Sequence, residues 1–145
     1  FNMFMFFKLP SAWWSGVRLQ RISESECVVT VKHMWINQNP FRSMFWAVQG
    51  MAAEMTTGAF VTREINLSGE NISMLVSRNT ANFTKKATGT IRFICNDGQK
   101  VKKLIKKAVD TGKSQTMWIE SKGYNEDNII VSHFSFEWSV KKRTL

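Results

Sequence analysis

The sequence predicts an α+β architecture in which a curved antiparallel sheet encloses one long central helix. Three features carry that expectation. Residues 44–57 (MFWAVQGMAAEMTT) are apolar nearly all round, with Gln49 and Glu54 the only long polar side chains. A helix with no polar face is buried rather than laid on a surface. Several flanking segments alternate apolar and polar residues, the period-two signature of half-buried strands. With the helix inside and antiparallel strands following it, the sheet has to curl.

Each element has its own local justification. Gly16 to Ile22 reads as a short strand, turned by Ser23-Glu24-Ser25-Glu26. Cys27 to Ile36 (CVVTVKHMWI) alternates, with Val29, Val31, His33 and Trp35 on one face. Asn37-Gln38-Asn39-Pro40 signals a turn, and Ser43 is placed to cap the helix that follows. Met, Ala, Gln and Glu favour that helix, and Gly58 is expected to end it. Asn71 to Ala81 and Ala87 to Cys95 alternate again, before a turn at Asn96-Asp97-Gly98. Gln99 to Gly112 switches to helical spacing. Val101, Leu104, Ile105, Ala108 and Val109 form its stripe, and lysines cover the rest. Ser114 to Lys122 and Ile129 to Lys141 form a hairpin, with Ile130, Phe134, Phe136, Trp138 and Val140 sharing a face.

Composition bounds the function. The chain has 145 residues, 43% hydrophobic and 21% charged, which fits one globular domain over 1–145 and excludes a disordered chain. Eleven Phe and six Trp must fill a core or line a pocket. The opening Phe1-Asn2-Met3-Phe4-Met5-Phe6-Phe7 is too short to span a bilayer and lacks the layout of a signal peptide. It is expected to pack on the domain or on a partner chain, and no membrane insertion is expected. Cys27 and Cys95 lie in apolar segments without CxxC or Cys/His spacing. They read as reduced core residues of a cytoplasmic protein, and neither a disulfide framework nor a metal site is expected. The net charge of +9 favours polyanionic partners: nucleic acid, an acidic membrane surface, or a phosphate-bearing cofactor such as coenzyme A. Nucleic acid is disfavoured, because no recognised binding motif occurs and the aromatics sit in apolar strands, apart from the basic residues.

Over roughly residues 9 to 141 the chain resembles the hotdog-fold thioesterase superfamily, closest to an uncharacterised thioesterase-like branch. The resemblance rests on the helix-entry pattern. Asn39 falls at the family's Asn, Ser43 at its Thr, and Ala53-Glu54 at the Ala-acid pair inside the helix. Two departures stand out: Phe45 occupies the position where relatives often carry His, and Trp46 and Ala47 replace the glycines after it. The resemblance implies a hotdog fold, a homodimer or homotetramer, and a site built at the dimer interface, with Glu54 of one subunit near loop residues of the other. It implies an acyl-CoA thioester as partner, with coenzyme A entering as part of the substrate and no separate cofactor.

Thioester hydrolysis needs a base or nucleophile, polarisation of the carbonyl, and exclusion of water. Glu54, among Ala and Met neighbours, is desolvated and so suited to act as base or nucleophile. The first amides of the 44–57 helix can meet a developing oxyanion, with Asn39 or Ser43 assisting. Gln49 reads instead as a core or dimer-contact amide. Trp46, Met51, Met55, Met74 and Phe83 are the candidates for lining an acyl chain. The resemblance points to Lys85 and Lys86, with Arg78 as a second choice, as the candidates for gripping coenzyme A phosphates. The alternative expectation, motivated by Phe45 and Trp46, is a non-catalytic acyl-CoA or fatty-acid binding protein.

Overall fold

A computed structural model describes residues 1–144; of the expected 1–145 span, Leu145 lies outside the described residues. Two short helices open the chain, α1 (Asn2–Lys8) and α2 (Pro10–Trp14), followed by strands β1 (Arg18–Ile22) and β2 (Cys27–Lys32). A 3-10 turn at Trp35–Asn37 leads to α3 (Trp46–Ser68). Then come β3 (Ile72–Phe83), β4 (Thr90–Cys95), α4 (Gly98–Thr111), β5 (Gln115–Tyr124) and β6 (Ile130–Lys142). The strands form one antiparallel sheet in the order β1-β2-β4-β5-β6-β3. α3 touches β1, β2, β4, β5 and β6. A single helix reaches that many strands only if the sheet bends around it. Register shifts within β1, within β3 and near the end of β5 break the pairing where the strands must bend. This is the hotdog arrangement.

The core lies between α3 and the concave face. Val29, Val31, Ile91, Phe93, Phe134, Phe136 and Trp138 are buried there from three strands. α3 supplies Ala52, Ala53, Met55, Phe60 and Val61. Two buried hydrogen bonds fix the helix on the sheet. Thr56 Oγ1 donates to Ser121 Oγ at 2.8 Å, and Trp138 Nε1 donates to Thr57 Oγ1 at 2.9 Å. α4 packs its Val101, Leu104, Ile105 and Ala108 inward and leaves its lysines in water.

The boundaries of the central helix differ from expectation at both ends. It does not stop at Gly58 but runs 23 residues to Ser68, and Gly69 in the left-handed region (φ 70°) ends it. Gly58 serves a close approach: a Cβ there would lie 3.3 Å from the Trp138 ring. The burial of Ala59, Phe60 and Val61 outweighs the helix cost of one glycine. At the other end Ser43 is not the N-cap. Met44 is still extended, its N–H bonded to Ala87 O at 2.8 Å, and Phe45 is the N-cap residue, without a side-chain cap. β2 also ends at Lys32, short of Ile36, because Asn37 draws the chain into its turn. Trp35, expected to share a face with Val29 and Val31, is 84% exposed. Ile130, at the mouth of β6, is likewise exposed.

Cys27 and Cys95 sit directly opposite one another on β2 and β4, both buried with free thiols. Burial, reinforced by the neighbouring thiol for Cys27, pushes each up to about 12. Both thiols are therefore expected to resist alkylation in the native protein and to react together on unfolding, as mass spectrometry after a timed pulse would read. Phe60→Ala, which empties the middle of the core, should cost about 3–5 kcal/mol in urea unfolding.

Candidate functional site

The segment between β2 and α3 is an ordered loop held by two asparagines. Asn37 is buried. Its Nδ2 donates to Ser15 O (2.9 Å) and Lys32 O (2.8 Å), and its Oδ1 accepts from the Met34 N–H (2.8 Å). Asn39 closes the next turn, its Oδ1 accepting from the N–H of Phe41 (2.9 Å) and of Ser43 (3.2 Å). Its Nδ2 donates to Ser43 Oγ at 3.0 Å. The polar atoms of Asn39 and Ser43 are thus engaged with one another, and together they aim the chain into α3. Because no side chain caps that helix, the first-turn amides of Trp46 and Ala47 are left uncapped.

A cavity of about 580 Å³ opens at this helix start. It gathers Asn39, Ser43, Trp46, Phe83, Lys85 and Lys86, six of the residues expected to contact a substrate. Phe41, Phe45 and Gln49 join them. Gln49, expected as a core or dimer-contact amide, lines this cavity. It is only 4% exposed, and its Oε1 is buried without a hydrogen-bond partner among the described residues. It shares that condition with His33 Nε2, Ser132 Oγ and His133 Nε2.

Glu54 lies elsewhere. It lines a smaller cavity, about 270 Å³, with Met51 and Met55 of α3 and the stretch Lys8 to Ala12 that joins α1 to α2. The Met-lined acid expected from the sequence is there, walled by an N-terminal segment that the sequence did not suggest for this role. No ion pair to Glu54 forms among the described residues, and burial raises its carboxyl above the ordinary range. Gln49 and Glu54 are five residues apart, so they project about 140° apart around the helix. One chain therefore carries two groups of polar residues facing different ways.

Two candidates fall outside both cavities. Met74 packs against the core from β3, near Thr62 Oγ1 (3.7 Å to its sulfur). Arg78 makes a two-pronged contact with Glu137, Nη2 to Oε2 at 2.7 Å and Nε to Oε1 at 3.1 Å. Arg78, the foremost cause, holds the Glu137 carboxyl below its usual range, with Ser77 adding a hydrogen bond. The charge of Arg78 is committed there, whereas Lys85 and Lys86 line the larger cavity.

A family model described as a domain of unknown function, DUF4442, matches residues 1–140. No curated protein matches the chain. Solved structures match over nearly its whole length. A Pseudomonas aeruginosa protein of unknown function, described as "Probable Thioesterase", superposes with a TM-score of 0.79 at 18% identity, covering 98% of this chain and 94% of that one. A Chlorobaculum tepidum protein of unknown function gives 0.84 at 16% identity, covering 98% and 92%. A Haemophilus influenzae thioesterase gives 0.71 at 13% identity, covering 97% and 87%. At these identities the likeness is one of fold, and that fold is the hotdog fold of thioesterase-like proteins. Among the described residues, no helix is long and apolar enough to cross a membrane.

The raised Glu54 carboxyl has a stability consequence of definite sign. The native state holds the Glu54 proton more tightly than the unfolded chain, so native stability falls as pH rises from the ordinary carboxylate range through the raised value. Glu54→Gln should therefore melt a few degrees higher than wild type at neutral pH. The difference should vanish below about pH 4, where both states of wild type are protonated. Thermal melts across pH read this directly.

Proposed function

We propose, for a chain that belongs to the DUF4442 family and has the thioesterase-like hotdog fold, that it hydrolyses acyl-CoA thioesters in an apolar pocket completed at a dimer interface. The observation that carries this reading is the convergence, on one cavity at an uncapped helix start, of apolar walls, polar groups and two lysines. An acyl thioester asks for that combination. Phe83 and Trp46 flank the acyl chain, and Lys85 and Lys86 meet the phosphates of the coenzyme A portion. The amides of Trp46 and Ala47 face the thioester oxygen as it becomes an oxyanion. Asn39 and Ser43 assist by holding that geometry. Met51 and Met55 line the approach to Glu54, while Met74 and Arg78 support the sheet behind.

Glu54 is the proposed base. Burial raises its affinity for a proton, so it can draw a proton from water as the hydroxide attacks the thioester carbon, and the thiolate then leaves. Within one chain Glu54 faces a different cavity from Asn39 and Ser43. A two-fold dimer resolves that separation by bringing Glu54 of one subunit to the loop of the other, and a tetramer would repeat the same pairing. The buried free thiols of Cys27 and Cys95 suit a reducing, cytoplasmic setting.

Phe45 favours a second reading. It stands at the position where the resemblance often places a His, and it packs edge-on against Trp46, with ring centroids 6.1 Å apart. An aromatic there lines a pocket without adding acid or base, as in a protein that binds acyl-CoA or a fatty acid without turning it over.

A panel of acyl-CoA thioesters assayed for released thiol separates the two readings. Hydrolysis should be detected, and Glu54→Gln should lower kcat by about 10²–10⁴-fold. A ligand that raises Tm and is recovered intact would support the binding reading instead. The shared site has its own test. Mixing unfolded Glu54→Gln and Asn39→Ala chains and refolding them together should restore activity to about a quarter of wild type, since each mixed dimer keeps one intact site. A site contained within one chain would restore none.

A further inference from the structure

The first two helices carry a surface that the thioester reading does not use. Their inner side is fixed. Met5 and Ala12 are buried, and Asn2 clips the segment to β1, donating from Nδ2 to Leu19 O (3.1 Å) while its Oδ1 accepts from the Leu19 N–H (3.0 Å). Phe6 meets Trp13 edge-on at 5.5 Å. With that side anchored, Phe1, Met3, Phe4, Phe7, Leu9 and Trp14 are left exposed, Met3 at 76% and Phe7 at 70%. So much large apolar surface within fourteen residues marks an interaction site.

Charge indicates what covers it. Residues 1–23 contain Lys8, Arg18 and Arg21 and no Asp or Glu; the first acid is Glu24. Arg18 lies over the Trp13 ring, 3.5 Å from its centroid, which keeps a cation beside the aromatic patch. A second copy of this chain docked by the same face would bring the same three cations to the contact. An anionic surface meets them with opposite charge, and rings and Met side chains settle into a headgroup layer without needing a shaped partner.

We propose that α1 and α2 form a peripheral docking surface for an anionic lipid bilayer. The contact is interfacial and does not span. The seven residues of α1 extend about 10 Å, against a hydrocarbon core about 30 Å thick. The proposal concerns a different face from the larger cavity and stands or falls apart from the hydrolase reading.

The test is flotation of the full chain with vesicles of phosphatidylcholine alone or mixed with phosphatidylglycerol, at low and high salt. Phe4→Ser/Phe7→Ser serves as the variant, with circular dichroism and Tm confirming that it folds. Wild type should float with the anionic vesicles about tenfold more than with neutral ones, less at high salt, and the variant should lose about tenfold. The proposal is overturned if wild type stays in solution with anionic vesicles, or if it binds neutral ones equally well. It is also overturned if the variant binds unchanged. Light scattering adds one more outcome: an assembly that the variant dissociates, with no flotation, would make this face a contact between copies of the chain and overturn it as well.

Discussion

A helix without a polar side imposes more on this molecule than any other element. α3 buries Val48, Ala52, Met55, Phe60 and Val61 around its circumference, and only β-structure on most sides can keep water from all of them. The sheet accordingly bends, with register shifts where the strands turn, and brings Phe93, Phe134 and Trp138 onto the helix from different directions. Two polar pairs inside satisfy one another, Thr56–Ser121 and Thr57–Trp138. Such internal bonds set rotation and height, because apolar contacts alone tolerate sliding.

The same helix distributes the chemistry. Its start is presented to solvent by a loop whose own polar atoms are consumed in holding it, so the free donors there are backbone amides rather than side chains. Farther along, Glu54 emerges on another side into a Met-lined recess. A helix rotates about 100° per residue, so no adjustment of side-chain rotamers brings these features together within one chain. On the proposed reading, symmetry does what the single chain cannot. The buried, unpaired oxygen of Gln49 is then the cost of keeping a polar group at the floor of an otherwise aromatic cavity.

The positive charge divides in a comparable way. Arg78 is committed to Glu137, and several lysines of α4 only solvate an amphipathic helix. Lys85 and Lys86 stand at the larger cavity, and Lys8 with Arg18 beside the N-terminal aromatics. A net charge of +9 is thus the sum of unrelated local duties.

Much of this was legible in the residues. The order of the elements from β1 to β6, the interior course of the central helix, the amphipathic character of α4 and the inward face of β6 follow from periodicity, because burial of one face is written into alternate or every third and fourth residue. The spacing of Asn39, Ser43 and Glu54 was likewise readable as a pattern. Periodicity says little about where an element ends. Gly58 looked like a stop because a lone glycine favours one, and only the approach of Trp138 across the core reveals its use. Ser43 looked like a cap until Met44 was seen paired to Ala87, a contact between residues 43 positions apart. Which polar residues share a cavity, and that Lys8 to Ala12 wall off Glu54, depend on distances through space between segments remote in sequence. Local pattern specifies the faces of each element, whereas neighbours and ends are decided when those faces compete for one core.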